Sequence, residues 1–159
     1  MRHFITAAAI TLALAGSAQA ASYRLGSIEV ANPWSRPAAA GGNGAGFMVI
    51  TNRGAKPDVL KAVETPAARK AEIHLSSMTD GVMRMQRQDA GVAIAPGKTV
   101  TLAPGGYHVM LLGLTKQLKG GDKVPATLVF QSGARLKVEF QVAASAPGGT
   151  NPMAGHEHH

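Results

Sequence analysis

Along most of this chain, apolar and polar residues alternate in short runs and do not recur every three or four positions. The runs "SIEVANPW", "GFMVITN", "DVLKAVE", "AEIHLSS", "VMRMQRQ", "TVTL", "YHVMLLG", "ATLVF" and "RLKVEFQV" are short, and Pro, Gly, Asn or Asp fill most of the gaps. Alternation of this length, punctuated by turn residues, predicts β-strands. Helical periodicity longer than two turns is missing after the first twenty residues. "TPAARKAEI" and "LTKQLKGGD" leave room for one helical turn each, the second stopped by Gly-Gly. Eight or nine short strands in one unit predict an all-β fold, an antiparallel β-sandwich with Greek-key connections.

The two ends of the chain read differently. "MRHF" carries a positive charge, "ITAAAITLALAG" is apolar, and "SAQA" ends in the small-x-small pattern that a signal peptidase cuts. Residues 1–20 are therefore expected to be a cleavable signal peptide, cut after Ala20, with the mature protein exported to the periplasm. The apolar stretch is shorter than the roughly 20 residues that span a bilayer, and no later segment approaches that length, so the mature form is expected to have no transmembrane segment. At the other end, "SAPGGTNPMAGHEHH" has no apolar periodicity, and residues 144–159 are expected to be a disordered tail. A single domain, residues 21–143, lies between.

Composition narrows the function classes. The formal charge of +7 falls to +6 when Arg2 leaves with the leader. Lys and Arg are scattered without aromatic clustering, so the charge predicts no nucleic-acid partner, only solubility or attraction to an acidic surface. There is no cysteine, which excludes disulfide staples, thiol redox chemistry and thiolate metal sites. No nucleophile elbow, P-loop, HExxH or paired-carboxylate motif is present, and the protein is not expected to be an enzyme.

The remaining candidate chemistry is imidazole and thioether. In "AEIHLSSMTDGVMRMQ" the Thr-Asp-Gly triplet marks a hairpin turn between two alternating strands. On its first strand His74 faces away from Ile73 and Leu75, and on the second Met83 and Met85 face away from Val82 and Arg84. In "YHVMLLG" Val109 and Leu111 take the core parity and send His108 and Met110 to the other face. His74, Met85, His108 and Met110 thus lie on strands without an obvious core parity. Thioether sulfur is a soft, neutral donor suited to Cu(I) and poorly suited to Zn(II), Mg(II) or Ca(II). On the residues alone, the competing reading stays open: a strand methionine commonly fills a core gap, and a histidine commonly sits hydrogen-bonded at a surface. Such a chain would be an exported binding module with no metal.

The spacing resembles a known signature. Ten residues separate His74 from Met85, twenty-two separate Met85 from His108, and one separates His108 from Met110. This spacing, with "NPWSRPA", "GAGFMVITN", "LAPGGYHVMLLGL" and "GDKVPATLVFQSG", resembles the periplasmic copper chaperones of the PCu(A)C family over most of the mature chain. The resemblance implies a cupredoxin-like β-sandwich/barrel that carries one Cu(I) on His74, Met85, His108 and Met110. It implies delivery towards the copper centres of cytochrome c oxidase, alongside or through a Sco-type copper protein, by a monomer. A copper-sequestering or resistance protein would use the same site with a different destination. Met78 and Met83 flank the hairpin, where shielding or hand-over of the ion is open to them but a core or surface-shield role is expected ahead of ligation, and Trp34 and Arg36 of the early motif are assigned to packing. In the tail, Met153, His156, His158 and His159 form a tract suited to weak Cu(II) binding.

Overall fold

The computed structural model describes residues 21–147. The expected leader lies outside the described residues, and so do Met153, His156, His158 and His159. The described chain forms β1 (Ser22–Leu25), β2 (Ile28–Ser35), β3 (Gly44–Asn52), β4 (Asp58–Glu64), β5 (Ala68–Thr79) and β6 (Val82–Arg87). It continues through β7 (Val92–Ile94), β8 (Thr99–Leu102), β9 (Tyr107–Leu114), β10 (Lys123–Phe130) and β11 (Arg135–Val142). There is no helix among the described residues. Both segments given room for a helical turn are otherwise occupied: "TPA" is a turn feeding β5 at Ala68, and Leu118 bridges to Ala38.

The all-β expectation holds, with two corrections. Eleven strands form where eight or nine were expected, because β1 ("SYRL") and β7 ("VAI") are too short to show alternation. The ladder is also mixed. Hydrogen bonding runs in the order β6-β5-β9-β3-β2-β11-β10-β4-β7, with β1 on β2 and β8 on β3. Every pairing is antiparallel except that of β11 with β2, where Gln141 and Val142 run parallel to Trp34 and Ser35. That pairing brings the last strand beside the second and joins the two halves of the sandwich.

A bulge in β2 lets the sheet fold over. The register with β3 shifts between Ala31 and Trp34, and Asn32 there has φ +51°; asparagine tolerates this left-handed region better than most residues. Before the bulge β2 pairs with β1, and after it with β11. Likewise the start of β3 pairs with β9 and its end with β8. The interior is apolar. Strand β11 contributes Leu136, Val138, Phe140 and Val142 while Lys137, Glu139 and Gln141 face water, and Val109 and Leu111 are at most 1% exposed. Burying each such side chain contributes about 1.5–3 kcal/mol, which fixes β9 as a central strand.

Candidate metal centre

The hairpin β5–β6 turns through Asp80 (φ +51°) and Gly81 (φ +73°), the positive-φ pair that a two-residue type I′ turn requires and that Asp-Gly supplies. Its length sets the register: Thr79 faces Val82, Met78 faces Met83, Ser76 faces Met85 and His74 faces Arg87. On its other edge β5 pairs with β9, where His74 faces His108 and Glu72 faces Met110. Directly opposed residues project to the same face of an antiparallel pair. His74, Met85, His108 and Met110 therefore share one face, and Ile73, Val109 and Leu111 take the other, towards the core. The imidazole rings lie side by side, their centroids 5.8 Å apart. Met110 stands beside this histidine row on one side and Met85 diagonally across it on the other. Exposure grades outward: His108 is 4% exposed, whereas Met85, on the edge strand β6, is 51% exposed.

Hydrogen bonds fix which ring nitrogens carry protons. His108 Nδ1 lies 3.1 Å from the carbonyl oxygen of Gly106. A carbonyl can only accept, so the neutral ring carries its proton on Nδ1 and keeps a lone pair on Nε2. That carbonyl is aimed by the turn Ala103–Gly106, closed by Gly106 N–H donating to Ala103 O at 3.0 Å. Pro104 leads into Gly105 at φ +86°, the geometry of a type II turn. His74 is the mirror case. Its Nε2 lies 2.7 Å from Glu72 Oε2, so Nε2–H donates to the carboxylate and the lone pair sits on Nδ1. His74 Nδ1 is buried and has no hydrogen-bond partner. Buried polar atoms are nearly always paired, and an orphan acceptor on a ring paired with a second imidazole is the atom a metal ion would satisfy.

Glu72 holds this arrangement in place. Lys70 Nζ lies 2.6 Å and Arg87 Nη1 3.3 Å from its Oε1. Lys70, then His74 and Arg87, hold the carboxyl at a pKa of about 2 against an ordinary 4.5, so it is ionised and purely an acceptor at neutral pH. A carboxylate behind a histidine fixes the ring's tautomer and orientation, as in many metal sites. Sequence reasoning passed over Glu72, although it lies two residues before His74 and the period of two puts it on the same face. The far side of the row is aromatic. Phe47 lies 6.5 Å from His108 between centroids and 4.7 Å from Trp34, and the Arg36 guanidinium sits 5.6 Å from the Phe47 ring centre. Trp34 and Arg36 thus pack as a wall beside the histidines. Among the described residues no three His, Asp or Glu side chains converge as a hard-metal site would need.

The family follows from comparison with known proteins. The family model described as "Putative lipoprotein LpqE-like" matches residues 28–142. The copper-bound PCuAC domain from PmoF2 aligns with a TM-score of 0.67 at 28% identity, over 79% of this chain and 99% of that domain. The chain belongs to the PCu(A)C family. The apo PCuAC domain from PmoF1 is similarly close, with a TM-score of 0.66 and 31% identity over 79% of this chain and all of that domain. The Cu(I) form of DR1885 from Deinococcus radiodurans aligns at 0.54 with 28% identity, covering 84% of this PCu(A)C chain and 86% of the other. Among curated proteins, "Putative lipoprotein Lxx21020" of Leifsonia xyli is 33% identical over 144 residues, 86% of each chain.

Proposed function

We propose that this PCu(A)C protein is a non-enzymatic, exported Cu(I) carrier whose cargo is held by His74 Nδ1, His108 Nε2 and the thioethers of Met85 and Met110. The observation that carries this reading is the pair of free lone pairs on facing imidazoles, one buried and orphaned, with a methionine on either side of the row. Copper-bound relatives with the same fold support the choice of metal. Four neutral donors suit Cu(I), which needs no charged ligand and prefers sulfur and imidazole. Neutral ligands also leave the ion exchangeable. His108 and Met110 sit on a core strand and Met85 on an exposed edge, so the ion is gripped from inside and approachable from outside. The recipient in this reading is the copper subunit of cytochrome c oxidase or a Sco-type protein, reached after signal-peptide cleavage and export. The relative named as a lipoprotein accords with export. Cu(II) gathering by the tail histidines is a separable part of the proposal.

A competitive Cu(I) titration of the mature chain against a chromophoric chelator tests the site. The expected result is one tight Cu(I) per chain, lost in His108→Ala/Met110→Ile and kept in a chain ending at Ala144. Tight binding that survives the double substitution, or that disappears with the tail alone, refutes the ligand set.

A further inference from the structure

Among the described residues, three of the five large exposed apolar side chains are methionines on one hairpin: Met78 at 65%, Met83 at 55% and Met85 at 51%. Their placement is sorted by face. Met78 and Met83 are directly opposed, next to the Asp-Gly turn, and Met85 follows Met83 by two residues. All three project to the face that carries His74. Of the remaining exposed apolar side chains, Val82 is paired with Thr79 on the opposite face and Leu25 lies on β1. The arm has no cover: β6 is exposed along its whole length and forms the edge of the ladder. Packing therefore does not explain these thioethers, because nothing packs on them.

We infer that Met78 and Met83, with Met85 as the shared inner member, form a second, weaker Cu(I) site at the hairpin tip. Through it the ion enters and leaves the histidine-containing site. The inference rests on the function proposed above and adds a path to it. Opposed residues on an antiparallel pair have Cβ atoms about 5 Å apart and diagonal neighbours about 7–8 Å apart. Unbranched methionine side chains span such distances with free rotors, so three sulfur atoms can converge on one soft ion. Thioethers alone bind Cu(I) without imidazole, and Met85 belongs to both sets. An ion moving from Met78, Met83 and Met85 to Met85, His74, His108 and Met110 then never loses all its ligands at once. Leucine, isoleucine or phenylalanine would serve a purely apolar docking surface equally well. Three thioethers on the metal-bearing face are what a soft-metal path requires.

The test uses the mature chain labelled with 13C at the methionine methyls and titrated with Ag(I), a redox-inert soft monovalent probe. The first equivalent is expected to shift Met85 and Met110. With Met85 already held by the first ion, the second is expected to bind more weakly and to shift Met78 and Met83 alone. In Met78→Leu/Met83→Leu, exposed positions where the swap preserves volume, the first equivalent is retained and the second is lost. Cu(I) transfer from the loaded variant to an external chelator is expected to slow. Retention of the second equivalent, or unchanged transfer, overturns the inference. If instead the native chain shows no Met85 and Met110 response at all, the parent assignment of the histidine-containing site fails, and this path fails with it.

Discussion

Replacing Glu72 tests whether the histidine pair is a poised ligand set or merely two packed rings. Glu72→Gln keeps the shape and one oxygen that can accept from His74 Nε2–H, but it removes the charge that binds Lys70 and Arg87. Glu72→Ala removes the acceptor as well, leaving His74 free to rotate or to move its proton to Nδ1, which would occupy the lone pair the metal needs. Altering the outer partner of a ligating histidine typically weakens metal binding about 10–100-fold, which is about 1.4–2.8 kcal/mol. Glu72→Gln is expected near the lower bound and Glu72→Ala near the upper. Glu64→Gln, which removes a carboxylate paired with Arg135 on another part of the surface, is the control and should bind Cu(I) like the native chain. The same competitive titration reads all three, and nitrogen NMR of the imidazoles of the metal-free protein reads the cause directly. His74 is expected as the Nε2–H tautomer and His108 as the Nδ1–H tautomer. Native-like affinity in Glu72→Ala, or a single shared tautomer in the native protein, would refute the reasoning.

Two further outcomes concern stability. The Glu72 carboxyl is held at about 2 by Lys70, His74 and Arg87, so its folded-state pKa lies below the unfolded value near 4.5. Its contribution is present above pH 4.5 and is lost as pH falls from there towards 2; thermal melts of the metal-free protein should decline in that window, and less steeply in Glu72→Gln. Gly105→Ala places a Cβ in open space but at φ +86°, so the cost is backbone strain of about 1–3 kcal/mol. A lowered melting temperature with the fold retained in circular dichroism is expected; an unchanged one would mean the turn that presents Gly106 to His108 is not held as described.

Much of the site was legible because both of its periodicities are local. The alternation in "YHVMLLG" separates His108 and Met110 from Val109 and Leu111. The two residues Asp80 and Gly81 fix the β5–β6 register, so that Ser76 opposite Met85 and His74 opposite Arg87 follow by counting. The neighbourhood of β5 and β9 was not legible from alternation. Those strands are far apart in the chain, and their pairing comes from Greek-key topology, which short-range patterns do not encode. For the same reason the parallel contact of β11 with β2 is not legible in the pattern: it joins Trp34 and Ser35 to Gln141 and Val142 across almost the whole domain. Glu72 was visible by parity but not by role, since its effect depends partly on Arg87 arriving from the neighbouring strand β6.

The candidate centre and the core share the same strands, and this couples them. Each candidate ligand on β5 and β9 alternates with a buried apolar residue, so a one-residue slip of β5 against β9 would exchange His74 with Ile73 or Leu75 and turn an imidazole into the core. The apolar side chains on the far face therefore also set the positions of the imidazoles. Their burial holds His108 and Met110 rigidly, whereas Met85 belongs to an edge strand that is exposed along its length. In the proposed carrier this asymmetry separates two demands. The inner half supplies a fixed geometry that selects a soft monovalent ion, and the outer half supplies the ligand that is displaced first when a partner takes it.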